Sequence, residues 1–256
     1  MHLDRHIQTF TDFSTAYLSG NADKDYHIQL KIDHTMRVLD NAKAIIKGEG
    51  LNGRSARLSL LSALYHDIGR FPQFKQYDTF RDAHSVNHGR LGVLTLRTIP
   101  IPDSLDSADL RILKAAVGLH NVKEINPNCP AFLKNVVNVV RDSDKLDIYD
   151  VVLDHLSITT DPKRIVIHSL EEHPTKYSDT VFKAVFEGQT CDYSNLYYSN
   201  DFILLLVGWL FKLAFPTTIS LLSERGCIDR IFALLPKDKR IQSLEQKAHT
   251  FIRYNI

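Results

Sequence analysis

Cysteine is scarce in this chain. Cys129, Cys191 and Cys227 are the only three among 256 residues, and no two form a CxxC pair. That count rules out a disulfide framework and predicts three free thiols in a reducing compartment. An excess of charge is missing too. The chain has 31 basic and 30 acidic residues, a formal net charge of +1. Nothing in that balance points to nucleic acid or to an acidic disordered tail, although a local basic patch is compatible with it. The N-terminal stretch MHLDRHIQTF lacks the apolar segment of a signal peptide. The one long apolar run, FILLLVGWLF at 202–211, is followed by Lys212 and Pro216. It is too short to span a bilayer and reads as a buried helix, either core or a subunit contact in a homo-oligomer. These absences predict a cytoplasmic protein with no membrane and no stable nucleic-acid partner. Internal repeats and low-complexity segments are also absent.

What is present is helical periodicity. Residues 27–47 place Ile28, Ile32, Val38, Ile45 and Ile46 among polar residues and stop near Gly48 and Gly50. Residues 55–68 continue the pattern, with Ser55 as candidate N-cap and Gly69 as stop. The aromatic-rich stretch FPQFKQYDTFRDAHS reads as a loop, and NHGRLGVLTLRTI as a helix broken at Pro100 and Pro102. Asp106 or Ser107 caps SADLRILKAAVGLHN, and residues 131–156 form one long helix. Its VVNVV segment would pass for a strand on its own, but the length favours helix. Further helical segments follow, separated near Asp161-Pro162, Pro174 and Pro216. The prediction is a single all-α domain over 1–256, with a core at about 27–155 and a helical C-terminal extension at about 156–256.

Groups able to bind a metal recur where apolar faces meet polar residues. They are His34, the adjacent pair His66 and Asp67, His88, His120, and Asp142 with Asp144. Each comes from a different segment, and rigid helices are a good way to fix ligand distances. The order His34, His66-Asp67, Asp144, with AxxHDIGR at 63–70, FRDAHSVNH at 80–88 and RDSDKLD at 141–147, resembles the HD-domain superfamily of metal-dependent phosphohydrolases. The resemblance covers about residues 27–150.

That resemblance implies a helical bundle around a metal centre and hydrolysis of a phosphomonoester or phosphodiester, a nucleotide or related small molecule. His88 and His120 match the extra histidines of members with two metals. In that reading one metal takes His34, His66, Asp67 and Asp144; the second takes Asp67, His88 and His120. Asp144 opens the Asp-Lys-Leu segment that matches the family and is preferred as ligand. Asp142 is then a catalytic helper that orients a ligand or polarises water; the reverse assignment is the alternative. His84, one turn before His88, is the alternative to it. Mixed imidazole and carboxylate donors suit Mn, Fe, Co, Ni or Zn, with Mg also compatible, as one or two ions. Water on such an ion loses its proton near neutral pH, and the hydroxide would attack phosphorus.

Arg70 is the leading phosphate clamp, because a guanidinium offers paired donors. Lys123, Lys145 and Arg81 are further candidates. Phe71, Phe74, Tyr77 and Phe80 either stack on a nucleobase or, more commonly for such residues, anchor the segment to the core. The remaining histidines (His2, His6, His27, His155, His168, His173 and His249) read as solvated or structural. Arg70-Phe71-Pro72 replaces the Gly-Tyr-Pro extension of the cyclic dinucleotide phosphodiesterase branch, and no alarmone synthetase domain is evident. Two alternatives remain: a di-iron oxygenase on the same fold, which needs both His88 and His120, and a non-catalytic helical binding or signalling module.

Overall fold

The computed structural model describes residues 2–103, 105–158 and 170–256, with backbone only at 155, 157 and 158. The described elements are helical: α1 Leu3–Thr15, α2 Ala22–Gly48, α3 Gly53–Tyr65, α4 Arg70–Tyr77, α5 His88–Thr95, α6 Ser107–Leu119, α7 Ala131–Ile158, α8 Asp179–Phe186, α9 Ser199–Leu210, α10 Pro216–Glu224, α11 Cys227–Leu234 and α12 Lys239–Asn255. Among the described residues the only β feature is an isolated bridge between Glu171 and Tyr198. None of these helices is long and apolar enough to cross a membrane. Backbone packing divides the chain into two compact units, 1–144 and 145–256. The Asp161-Pro162 break and His168 lie outside the described residues, as does the His155 side chain.

In the first unit, α2 starts because Asn21 accepts from the Lys24 amide at 3.1 Å, and Asp23 and Asp25 sit at the positive end of the helix dipole. It stops before Gly50, whose φ of +61° suits glycine. One face of α2 carries Ile28, Ile32 and Leu39 into a cluster with Leu61, Leu64 and Tyr65 of α3. That cluster continues to Phe71 of α4 and to Leu113 and Val117 of α6. Each fully buried leucine there contributes about 2 kcal/mol of transfer free energy. A second cluster joins Leu58, Ala116, Val136 and Val137, so VVNVV packs as helix against α3 and α6. A polar clamp fixes α3 to α6: the buried Asp109 carboxylate accepts from Arg54 Nε at 2.6 Å and from Arg57.

Three local expectations change. The stretch after Gly69 is not a loop throughout, because residues 70–77 form α4. Pro72 falls in its first turn, where a missing N–H removes no helical bond. Gly69 does not stop α3 through a left-handed conformation, since its φ is −72°. It is a contact glycine instead: a Cβ there would meet His88 O at 2.3 Å and Gly92 N at 2.5 Å. The cap position of α3 is Asn52 rather than Ser55, with no side-chain hydrogen bond.

The second unit is built on α9. Phe202 through Val207 are at most 5 % exposed, so the apolar run is core. Gly208 lets α8 approach, with Val185 Cγ2 3.2 Å from where a Cβ would stand. The Asp201 carboxylate, fully buried, accepts from Ser178, Tyr197 and Tyr198 at 2.6–2.9 Å. The three cysteines are free thiols. Burial first, and then the nearby Asp150 carboxylate, push the Cys227 thiol up to about 12, which keeps it protonated and inert.

Candidate metal centre

Helix ends explain where the histidines sit. The last carbonyls of a helix have no partner from the next turn. His66 follows α3 and its Nδ1 donates to Ala63 O at 2.7 Å. His120 follows α6 and does the same to Val117 O at 2.7 Å. Each ring satisfies one orphan carbonyl and thereby carries its proton on Nδ1, leaving the Nε2 lone pair to point inward. His88 opens α5, capped by Asn87, and its Nδ1 donates to the Asp82 carboxylate, with both oxygens at 2.8–2.9 Å. His34 lies within α2, buried at 6 % exposure.

These side chains converge as two groups, His34 with His66 and Asp144, and Asp67 with His88 and His120. In the first group His34 Nε2 lies 3.3 Å from His66 Nε2 and 3.2 Å from Asp144 Oδ1, and His66 Nε2 lies 3.9 Å from that oxygen. In the second, His88 Nε2 lies 3.0 Å from His120 Nε2 and 3.4 Å from Asp67 Oδ1, and His120 Nε2 is 3.7 Å from Oδ1. Asp67 joins the groups, because its other oxygen, Oδ2, faces His34 at 3.6 Å and His66 at 3.8 Å. Donors about 2.0–2.2 Å from one ion stand about 2.9–3.6 Å from one another, close to these separations.

The charges fit the same reading. Burial holds His66 down at about 4, against the upward pull of Asp67 and Asp144. Burial also holds His88 at about 4, against the Asp82 hydrogen bond. Burial alone would raise the Asp67 and Asp144 carboxyls. Lys31, His66 and Arg70 outweigh it at Asp67, and His34 and His66 outweigh it at Asp144, so both lie well below the usual carboxylate range. The second group therefore gathers two imidazole lone pairs and a carboxylate oxygen with no hydrogen between them. A cation reconciles such neighbours, and burial disfavours a proton on His88 at neutral pH. The donor set fits a divalent metal ion.

Of the sequence candidates, His34, His66, Asp67, His88, His120 and Asp144 come together. Asp142 is buried but belongs to neither group; two residues before Asp144 on α7, it stands about 200° around the helix. His84 is exposed in the 3-10 turn Asp82–His84. Arg70 is largely engaged within the chain. Its Nη1 donates to Gln73 Oε1 at 3.0 Å, to Asp82 Oδ1 at 3.1 Å and to Phe80 O, and its Nε is 3.4 Å from Asp67 Oδ1. Arg81 and Lys123 are exposed, and Lys145 follows Asp144 on α7 in the second unit. Phe71 is fully buried among Phe10, Phe13 and Tyr17, and Phe74 stacks on Phe80 at 4.8 Å, so these rings anchor the segment.

Sequence reasoning missed Lys31, Asp82 and Arg141. Lys31 Nζ lies 2.9 Å from Asp67 Oδ2, and its spacing of three from His34 on one helix was a usable signal. Asp82 lies in an irregular segment, where no period predicts which side chain reaches His88. Arg141 donates to the carbonyls of His120, Val122 and Lys123, bracing the end of α6 from α7.

A search of the curated proteins and of the solved structures gives no match. A family profile described as HD domain matches residues 32–179, more than half of the chain. With that match, and with its ordered histidines and aspartates gathered into two groups through Asp67, the chain belongs to the HD-domain superfamily of metal-dependent phosphohydrolases.

Proposed function

We propose that this chain hydrolyses a phosphate ester of a nucleotide or similar small molecule at a two-cation centre. The observation that carries this reading is the Asp67 carboxylate, with one oxygen toward His34 and His66 and the other toward His88 and His120. His34, His66, Asp144 and Asp67 Oδ2 would hold one divalent cation, and Asp67 Oδ1, His88 and His120 the other. Bound cations of this kind lower the pKa of a water to about 7 and offset phosphoryl charge.

The chain's own residues orient and neutralise. His66, His88 and His120 keep their protons on Nδ1 through Ala63, Asp82 and Val117, which aims every Nε2 inward. Lys31 supplies positive charge beside the centre. Its ammonium is only 16 % exposed and lies 5.5 Å from the Phe80 ring centroid. With Asp67 among the residues that would hold a cation, the Lys31 ammonium beside it would be placed to meet a phosphoryl oxygen. Arg70 is a brace for Asp67 and Asp82 more than a clamp for phosphate.

The test is to purify the chain, count metals per chain, and assay the loaded protein on p-nitrophenyl phosphate, its bis ester and a nucleotide panel. Phosphate release that is lost in Asp67→Ala supports the proposal. Two irons with oxygen uptake and no phosphate release would replace it with the oxygenase. Failure to bind metal and to release phosphate would leave a binding or signalling module.

A further inference from the structure

His66 and His120 are held by carbonyls of their own helices, three residues back. His88 has no such support. It opens its helix, and its ring is fixed by a carboxylate from the irregular segment before α5. Asp82 accepts from His88 Nδ1 at 2.9 and 2.8 Å and from the His88 amide at 3.3 Å. Asp82 is held in turn by Arg70 Nη1 at 3.1 Å, Gln73 Nε2 at 2.9 Å and Asn121 Nδ2 at 3.3 Å. The fully buried Gln73 also ties the segment down through Ser85 Oγ and Val86 O, both at 2.9 Å. Arg70 and Gln73 lie on α4, which starts three residues after Asp67. The support of His88 is therefore registered to the shared carboxylate. These bonds run through α4, α5 and Asn121, while Ala63 supports His66 separately.

We propose that Asp82 is a positioning residue for the second cation alone: it holds His88 on the Asp67–His120 pair, and without it the chain keeps one cation and loses the other. The inference rests on the two-cation reading above. A carboxylate behind a ligating imidazole fixes its tautomer and strengthens its donor nitrogen, and loss of such a partner weakens metal affinity by about 10–100-fold.

The experiment loads the full chain, Asp82→Ala and Asp82→Asn with Mn2+, counts bound metal after dialysis, and measures both dissociation constants by calorimetry. Electron paramagnetic resonance of the same samples reports whether two ions are coupled. The expected result is two equivalents and an exchange-coupled signal in the original chain. Asp82→Ala should keep one equivalent at unchanged affinity, weaken the second by about 10–100-fold, and give the six-line signal of an isolated ion. Asp82→Asn, whose amide oxygen can still accept from His88 Nδ1, should weaken the second by a smaller factor. Retention of the first equivalent itself shows that the fold stands. If Asp82→Ala does not fold, Asp82→Asn decides, and an unchanged second affinity there overturns the proposal. Loss of both ions together, or of neither, in folded Asp82→Ala also overturns it. A single equivalent in the original chain overturns this inference but leaves a one-cation hydrolase; no bound metal overturns both.

Discussion

His88 and His120 face each other through Nε2 atoms 3.0 Å apart, although each ring already donates its Nδ1 proton, to Asp82 and to Val117. Two imidazole lone pairs at that distance, with Asp67 beside them, form a donor set that a divalent cation would satisfy. Divalent metal should therefore raise thermal stability, by about 2.7 kcal/mol at a hundredfold excess over the dissociation constant. Melting curves with Mn2+, Co2+ or Zn2+, reversed by a chelator, measure it. A melting temperature indifferent to all three would contradict the metal assignment.

Lys31 offers a test of phosphate binding that is separate from metal binding. A charge-assisted hydrogen bond contributes about 1.5–3 kcal/mol. Lys31→Met should raise KM for a phosphomonoester, and the inhibition constant of inorganic phosphate, by about 10–100-fold, with metal content retained. Lys31→Arg should recover part of the loss. If phosphate affinity stays put and only metal affinity changes, the lysine serves Asp67 and not the substrate.

Gly69→Ala sets two effects of opposite sign against each other. Its φ of −72° is open to alanine, which would gain about 0.4–1 kcal/mol from a less flexible unfolded chain. The new methyl would stand 2.3 Å from His88 O and 2.5 Å from Gly92 N, both backbone atoms that yield little. Overpacking should win, with a net loss of about 2 kcal/mol. Because the clash falls on His88, the variant should also bind less metal. A denaturant midpoint equal to that of the original chain would refute the close-approach account.

At the C-terminal helix, Asp238 accepts from the Arg240 amide at 2.8 Å and the Ile241 amide at 2.9 Å, and Tyr177 donates to its other oxygen at 2.9 Å. Asp238→Ala should cost about 1 kcal/mol. Burial alone would raise the carboxyl, but these hydrogen bonds outweigh it and its pKa is lowered. A group depressed in the folded state stabilises above its unfolded value, about 3.9, and loses that contribution as pH falls through its folded value. The difference between the original chain and Asp238→Asn should thus be constant near neutral pH and shrink below about pH 4. A difference that grows with acid would reverse the assignment.

Much of this was legible in the residues. The 3.6-residue period marked α2, α3, α6 and α7, because burying one face of a helix writes itself into the local pattern. The irregular segments were not. Pro72 suggested a loop where the first turn of α4 tolerates it, and Gly69 suggested a stop where the need is a close backbone contact with α5. Asp82 escaped notice because nothing local relates it to His88, although both lie in the quoted FRDAHSVNH stretch.

The amino-acid order by itself determined that imidazoles and carboxylates of metal-binding character stand on separate helices, since residue type and helical spacing are properties of short stretches. Only the tertiary structure decided that Asp67 turns one oxygen to each pair of histidines, that Asp144 and not Asp142 joins His34, and that Lys31 and Asp82 attend the centre. Those outcomes depend on how helices far apart in sequence pack together, and packing is a property of the whole core.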